Sequence, residues 1–222
     1  MAGLLPLQLS VKRRTWRKDD QGVESADREF REKRPGILER DRNTCRYCGF
    51  KSGKTEVHHL NDDHTDNRDD NLVTADPLCH GCNHIGQVGA QSHGVLAYVP
   101  GLSQIDLNHL QRTIFMMMEM GTEEQKREAQ DLLMLLAAKR HDFEAAWGTS
   151  KPREIATALA QVDPDTFSQR GTFFANVALI YNPARFKGYT AAWADEAYRA
   201  LPPSSWGLIH ARYSGNRAGA QT

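Results

Sequence analysis

Four cysteines form two closely spaced pairs, and this spacing is the clearest chemical signal in the sequence. Cys45 and Cys48 form one CxxC pair, Cys79 and Cys82 form the other, and thirty residues separate the pairs. Two intervening residues let both sulfurs of a pair contact one ion at about 2.3 Å. Two such pairs supply four thiolates in tetrahedral geometry, which is typical of a structural Zn²⁺ site. We therefore predict that all four cysteines bind one structural zinc ion.

Other uses of these thiols remain open on spacing alone. An iron–sulfur cluster or four unrelated thiols would also fit, whereas a redox-active CxxC requires a thioredoxin-like βαβ context that the pattern lacks. Four cysteines in 222 residues are too few for a disulfide scaffold. Residues 36–100 contain few long apolar runs, so a bound ion would supply folding free energy there, on the order of 10 kcal/mol.

Polar residues between and after the cysteine pairs occur in a characteristic order. The run Glu56–Leu60 contains the pair His58-His59, an acidic loop and Asn71 follow, and Asn83 comes directly after Cys82. Over residues 38–86 this order resembles the HNH endonuclease (ββα-metal) motif.

The HNH resemblance implies a role for each matching residue. His59 would be the general base that activates water, and His58 would be a ligand of a catalytic divalent cation such as Mg²⁺. Asn83 would be the second ligand, and Asn71 would hold the loop that carries the base. A histidine of near-neutral pKa can accept the proton while the cation stabilises the phosphorane charge.

Two features of the sequence argue against nuclease catalysis. The loop after His59 carries five aspartates and one arginine between positions 62 and 70, and this negative charge would repel a phosphodiester. The three glycines within positions 86–94 disfavour a long helix after the second cysteine pair.

The histidines also have a simpler interpretation. His58 and His59 would then be supporting or surface groups of the zinc module. We expect the remaining histidines of this region to be solvated loop residues: His64, His80, His84 and His93.

Composition excludes several classes of protein. Lys and Arg (28) balance Asp and Glu (28), which argues against binding nucleic acid or membranes through bulk charge. Hydrophobic content of 40% is ordinary for a globular chain. No run approaches the roughly 18 apolar residues of a membrane span, so we expect no membrane insertion. The apolar residues 1–9 precede a basic cluster at 12–18, the reverse of a secretory signal, which predicts a cytoplasmic protein.

The chain divides into four zones of an α+β protein. We predict a polar, partly flexible N-terminal arm (1–35) with breakers at Gly22 and Pro35, and an HNH-like zinc module (36–100). A mainly α-helical region (101–206) and a C-terminal tail (207–222) follow.

Capping residues punctuate the helical region. Ser103 and Thr122 are predicted N-caps, and Gly121 and Gly148 are predicted helix ends. Further helices are expected over 152–162, after Asp163, and over 191–200 with Thr190 as its cap. The segment 173–181 is predicted to be buried, as helix or strand.

A wider resemblance covers residues 36–206. The segments 39–50, 64–72 and 94–108 are similar to the IcmJ/DotN family of type IVB (Dot/Icm) secretion and conjugation systems. This implies a zinc module, with zinc on the four cysteines, that has become a scaffold for the tail of the coupling ATPase (DotL-like) and for other coupling-complex subunits. It also implies a cytoplasmic protein recruited to the inner membrane.

Three functions therefore stand at this point. The first is a zinc-stabilised, non-catalytic subunit of a type IV coupling complex. The second is an active HNH endonuclease with His59 as general base, and the third is a DNA-binding zinc adaptor without cleavage. Neutral overall charge and the acidic loop favour the first, and the His58-His59 pair favours the second.

Overall fold

The computed structural model describes residues 3–13, residues 23–199 and Ser205, and it has an α+β fold. The predicted tail at 207–222, residues 14–18 of the basic cluster and the predicted breaker Gly22 lie outside the described residues. The helices are α1 (Val23–Arg40), α2 (Pro77–Asn83), α3 (Ile85–Ala90), α4 (Gln104–Met120), α5 (Glu123–Ala138), α6 (Arg140–Trp147), α7 (Pro152–Gln161), α8 (Pro164–Ser168), α9 (Arg170–Phe173) and α10 (Lys187–Trp193). The strands are β1 (Glu56–His59), β2 (Leu72–Ala75), β3 (Gly94–Tyr98) and β4 (Val177–Tyr181). A 3₁₀ turn (Pro183–Phe186) precedes α10, and a π-helical turn (Ala194–Tyr198) follows it.

The cysteine-rich region is built on a hairpin followed by a helix. Strands β1 and β2 pair antiparallel, with Glu56 opposite Ala75 and His59 opposite Leu72. Asp76 then caps α2 by accepting a hydrogen bond from the Leu78 amide. This ββα arrangement carries the second cysteine pair on α2.

A second two-stranded sheet joins distant parts of the chain. Strands β3 and β4 pair antiparallel, with Gly94 opposite Tyr181 and Tyr98 opposite Val177. Every residue of β4 is buried. Within the segment 173–181, Phe174 and the strand β4 belong to the main hydrophobic core with α3, α4 and α7. The prediction that the whole segment is buried is wrong for Phe173, which ends the short helix α9 and is exposed, because the chain turns at the surface before it enters the sheet.

Most of the predicted caps of the helical region are confirmed. The Ser103 side chain accepts a hydrogen bond from the Asp106 amide at the start of α4, and α4 ends at Gly121. Thr122 forms a capping box with Gln125 at the start of α5. Gly148 ends α6 with a φ of 78°, a left-handed conformation that favours glycine.

Two predicted boundaries are wrong. Helix α1 continues through Pro35, because burial of Ile37 in a small apolar cluster opposes the cost of the missing backbone hydrogen bond. Helix α10 begins at Lys187, so Thr190 lies inside it and its hydroxyl donates to the Lys187 carbonyl. The cap-forming side chain here is Asn182, which caps the preceding 3₁₀ turn.

Residues 3–13, within the predicted N-terminal arm, pack against the rest of the protein. Leu9 and Val11 are buried in the main core. The Ser10 amide donates to the Cys82 carbonyl, and the Ser10 carbonyl accepts from the Ile85 amide. This segment therefore lies directly against the helix that carries the second cysteine pair. None of the helices within the described ranges is both long and apolar enough to cross a bilayer.

Candidate metal centres

Three of the four cysteine sulfurs lie together in the interior. The Sγ atoms of Cys45, Cys48 and Cys79 are all within 4.8 Å of one another, and the three residues are buried. The first pair lies on a tight turn in which the Cys48 amide donates to Cys45 Sγ at 3.5 Å. Gly49 follows with a φ of 74°, and its amide donates to the Cys45 carbonyl. This group of three thiols, the cysteine cluster, has donors suited to Zn²⁺.

Cys82 is buried beside the cysteine cluster but is not part of it. Its thiol donates to the Leu78 carbonyl at 3.2 Å and lies 3.6 Å from the Tyr181 hydroxyl. The Asn108 side-chain amide lies 3.3 Å from Cys79 Sγ and 3.8 Å from Cys82 Sγ. The structure therefore brings three of the predicted ligands together, while the fourth lies outside this group and is linked to it through the shared Asn108 amide.

Helix α4 completes the surroundings of the cysteine cluster from beyond residue 100. His109 Nε2 donates to the Cys48 carbonyl at 3.1 Å, and Arg112 Nη2 lies 3.9 Å from Cys48 Sγ. Contacts thus cross the predicted boundary between the zinc module and the helical region. The guanidinium also places a positive charge next to sulfurs that become negative when they bind a metal.

The thiols of the cysteine cluster influence one another's ionisation. Hydrogen bonds from Cys48 and Cys79 lower the pKa of Cys45 to about 2. The same interaction raises the pKa of Cys48 to about 12. These contacts favour the thiolate form of Cys45 over that of Cys48, and a bound cation would take the sulfurs of the cluster as thiolate ligands.

A second group of possible ligands consists of three histidines. Nitrogens of His58, His80 and His84 are within 4.8 Å of one another. The ring centroids are 5.1 Å apart for His58 and His80, 5.2 Å for His58 and His84, and 4.8 Å for His80 and His84. We refer to these residues as the histidine cluster. Our prediction of solvated loop residues is wrong for two of them, because His80 lies on α2 and His84 is its C-cap, both partly buried.

The other two histidines predicted as solvated loop residues have specific neighbours. His93 Nδ1 accepts a hydrogen bond from Arg185 Nη1 at 3.0 Å. The His64 ring lies 5.0 Å from that of His59. Neither residue belongs to the histidine cluster.

Glu56 supports the histidine cluster from β1. Its Oε2 accepts a hydrogen bond from His80 Nδ1 at 2.5 Å, and its Oε1 accepts from the Tyr189 hydroxyl at 3.0 Å. Burial alone would raise the pKa of Glu56, but the hydrogen bond and charge of His80 outweigh it and lower the pKa to about 2. Burial lowers the pKa of His58 to about 2 and that of His84 to about 3, so both rings are neutral at physiological pH.

Sequence periodicity carries only part of the signal for the histidine cluster. Residues two apart on a strand share a face, as Glu56 and His58 do on β1. Residues four apart share a helix face, which relates His80 to His84 along and just beyond α2. The pattern does not show that these two faces meet.

His59 lies on the opposite face of β1 from His58. Its Nε2 donates to Asn67 Oδ1 at 2.9 Å, and its ring stacks on Phe30 of α1 with centroids 5.0 Å apart. His59 is only 6% exposed. The predicted general base and the predicted metal ligand therefore face different surroundings.

The two asparagines of the HNH pattern make local contacts. Asn71 Nδ2 donates to the Asp66 carbonyl at 2.8 Å and to Asn61 Oδ1 at 2.9 Å, which ties together the ends of the acidic loop. Asn83 Nδ2 donates to the Cys79 carbonyl at 3.2 Å, within its own helix. The side chain of Asn71 therefore holds the acidic loop in place. The side-chain amide of Asn83 bonds within α2, the helix to which it belongs.

The fold and the two clusters define an α+β protein whose buried cysteine and histidine groups could each hold a metal ion. No established family profile matches the chain. The sequence is similar to the type 4 apparatus protein DotN of Legionella pneumophila, with 29% identity over 180 residues. The matched region covers 79% of this chain and 84% of DotN. The predicted resemblance to the IcmJ/DotN family is therefore confirmed.

Proposed function

We propose that this protein is a zinc-stabilised, non-catalytic scaffold subunit of a type IV secretion or conjugation apparatus. The observation that carries this proposal is the similarity to DotN, because it extends over 84% of a protein named as a component of the type 4 apparatus. A zinc ion on the cysteine cluster, with Cys82 as the fourth ligand after a change of its side-chain rotamer, would stabilise the centre of the fold. The ββα arrangement of β1, β2 and α2 supports an HNH-like origin of the module.

The partner we propose is a segment of the coupling ATPase (DotL-like), bound together with other coupling-complex subunits. Helix α5 supports this idea because Leu132, Met134 and Leu135 are 39%, 62% and 66% exposed. Contiguous exposed apolar side chains are typical of surfaces that a partner covers. The protein would be cytoplasmic and would reach the inner membrane through the complex.

Co-purification tests the scaffold function. The full chain is expressed with an affinity-tagged coupling ATPase from the same secretion system, and we expect the two proteins to elute together in constant ratio from gel filtration. Leu135→Glu should weaken this association at least tenfold. Gln130→Glu is the matched control, because it adds the same charge at another exposed position of α5 and should leave association unchanged. Separate elution of the wild-type proteins would contradict the proposal.

The second candidate function is an HNH endonuclease, and one observation favours it: His58 lies in a group of potential metal ligands next to a ββα hairpin and helix. The position of His59 argues against it, because its Nε2 is engaged by Asn67 and its ring is covered by Phe30. A DNA-binding adaptor without cleavage has less support, since the acidic loop would repel phosphates.

A nicking assay separates scaffold from nuclease. The purified protein is incubated with supercoiled plasmid and Mg²⁺, Mn²⁺ or Ni²⁺, alongside His59→Ala. We expect no metal-dependent conversion to open circles with either protein. Nicking by the wild-type protein that is lost in His59→Ala would overturn the non-catalytic assignment. Retarded plasmid migration without nicking would instead indicate the adaptor.

A further inference from the structure

The side-chain amide of Asn108 lies close to both sulfurs of the second cysteine pair. Its Nδ2 is 3.3 Å from Cys79 Sγ and 3.8 Å from Cys82 Sγ, and Asn108 is completely buried. An amide nitrogen carries two hydrogens, so this one side chain can donate to both sulfurs. Asn108 belongs to α4 and therefore lies outside the segment that resembles the HNH motif.

A chain of hydrogen bonds fixes the orientation of this amide. The Leu179 backbone amide, which can only donate, lies 2.8 Å from Gln104 Oε1 and so identifies that atom as the oxygen. Gln104 Nε2 then donates to Asn108 Oδ1 at 2.8 Å and lies 3.2 Å from the Leu179 carbonyl. Because its oxygen is occupied by Gln104, Asn108 directs its nitrogen to the sulfurs. Strand β4 thus positions a donor at the cysteines through two side chains of α4.

We propose that Asn108 is a positioning residue of the zinc site and holds the Cys79 and Cys82 thiolates by donating one N–H to each. This inference rests on the zinc-binding part of the proposed function, in which all four cysteines are ligands. A zinc ion with four thiolate ligands carries a net negative charge, and buried charge is costly unless polar contacts compensate it. Hydrogen bonds to charged acceptors are about twice as strong as those between neutral groups. The two contacts of Asn108 therefore strengthen when the sulfurs are ionised.

The same face of α4 serves the first cysteine pair. Arg112 lies four residues after Asn108, which places both side chains on one side of the helix. Its Nη2 is 3.9 Å from Cys48 Sγ. Helix α4 therefore directs nitrogen donors at both pairs. An apolar side chain would pack equally well at position 108, but it would offer the sulfurs no hydrogen.

Replacement of zinc by Co²⁺ tests the role of Asn108, because thiolate ligands of Co²⁺ give a charge-transfer band. The full wild-type chain and Asn108→Leu, which has a similar volume and no donor, are titrated with Co²⁺. An N–H donor lowers the energy of the sulfur electrons, so its loss should shift the band to longer wavelength. We also expect the affinity for Co²⁺ to weaken about 10–100-fold. An unshifted band would overturn the proposal at any affinity, since lost packing could weaken binding by itself.

Gln111→Met is the matched control. Gln111 is as buried as Asn108 and lies on the same helix, but its amide bonds to the backbone of β4 at Leu179 and Tyr181 rather than to a cysteine. We expect this variant to lose stability and to keep the charge-transfer band at the wild-type wavelength. A shift as large as that of Asn108→Leu would overturn the proposal, because loss of a buried amide elsewhere on α4 would then suffice.

Gln104→Met covers the case in which Asn108→Leu does not fold. It keeps the Asn108 amide and removes the contact that orients it, so we expect a smaller shift in the same direction, and an unshifted band would again overturn the proposal. The wild-type spectrum separates this inference from the proposed function. Absence of thiolate absorption there would overturn zinc binding itself, whereas a wild-type band that no variant shifts overturns only the role of Asn108. Both results are independent of any coupling ATPase.

Discussion

Arg112 of α4 and Asp76 form an ion pair with 3.0 Å between Nη2 and Oδ1, and both side chains are fully buried. The same carboxylate oxygen accepts the Leu78 amide at the start of α2. The guanidinium lies over the Phe50 ring, with 3.7 Å between its central carbon and the ring centroid. This pair therefore joins the helical region to the helix that carries Cys79.

Removal of the Arg112 charge should be strongly destabilising. Arg112→Met leaves the Asp76 carboxylate buried without its cation, and loss of one partner of a buried pair costs about 3–5 kcal/mol. We expect the free energy of unfolding, measured by urea denaturation, to fall by that amount.

A double variant distinguishes loss of the ion pair from loss of packing. Asp76→Asn keeps a side-chain oxygen for the cap of α2 but removes the negative charge. Arg112→Met combined with Asp76→Asn should therefore recover at least 1 kcal/mol relative to Arg112→Met alone. If the two substitutions destabilise additively, the charge pairing is not the source of the effect.

Substitution of Cys45 and of Cys82 tests whether Cys82 is a zinc ligand. If it is, both substitutions should destabilise the fold equally, and if it is not, only the Cys45 substitution should do so. We expect Cys45→Ser and Cys82→Ser each to lose one zinc equivalent and to unfold residues 40–90, because a structural zinc contributes on the order of 10 kcal/mol. Metal analysis with amide hydrogen exchange measures both effects. Retention of zinc by Cys82→Ser would limit the site to the cysteine cluster and a non-cysteine fourth ligand.

Asp62 should make stability depend on pH. Burial raises the pKa of Asp62 from 3.8 to about 6, against the opposing charges of Arg170 and Lys12. Between these values the folded state binds more protons than the unfolded state, so the free energy of unfolding falls as the pH rises. Asp62→Asn should be more stable than the wild type at about pH 7.5, by up to about 2 kcal/mol. The two proteins should converge toward about pH 4.

The control for Asp62 is a neighbouring aspartate at the surface. The Asp70 side chain is 77% exposed, and Asp70→Asn removes an equal charge. Asparagine also tolerates the positive φ of 58° at position 62, so backbone strain is not introduced. An Asp62→Asn stability gain that is independent of pH would argue against ionisation as its cause.

Two glycine substitutions should have opposite effects. A Cβ at Gly89 would meet the backbone nitrogen of Arg153 and lie 2.8 Å from its Cα, so Gly89→Ala must separate α3 from α7. We expect a loss of about 1–3 kcal/mol. A Cβ at Gly36 of α1 would meet no atom within 4 Å among the described residues outside its own stretch of helix, and Gly36→Ala should gain about 0.5–1 kcal/mol. Thermal unfolding of both variants checks the contrast, and equal effects would contradict the close packing at Gly89.

The helical caps and the grouping of three cysteines could be predicted because they depend on local chemistry. Ser103 and Thr122 cap through contacts three residues away, and residues of a CxxC turn are close by construction. The strand β4 was ambiguous because a buried apolar run suits both helix and strand until its partner is known.

The histidine cluster could not be predicted because it depends on how separate elements meet. His58 approaches His80 and His84 only because α2 packs across the hairpin of β1 and β2, and Tyr189 reaches Glu56 from α10. Successive residues of a strand point to opposite faces, so the side chains of His58 and His59 lie on different faces of β1. The HNH resemblance had instead implied that both residues act in one catalytic site.

Both ends of the described fold pack against the candidate metal centres, and this bears on how the protein is made. Ser10 lies against α2, while Tyr189 and Trp193 cover Glu56 and Arg112 from the opposite end. A nascent chain on the ribosome holds its cysteines long before Tyr189 and Trp193 emerge. Enclosure of an ion bound at the cysteine cluster would therefore wait until synthesis is almost finished, and the cysteines of the growing chain would stay open to chelators and oxidants until then.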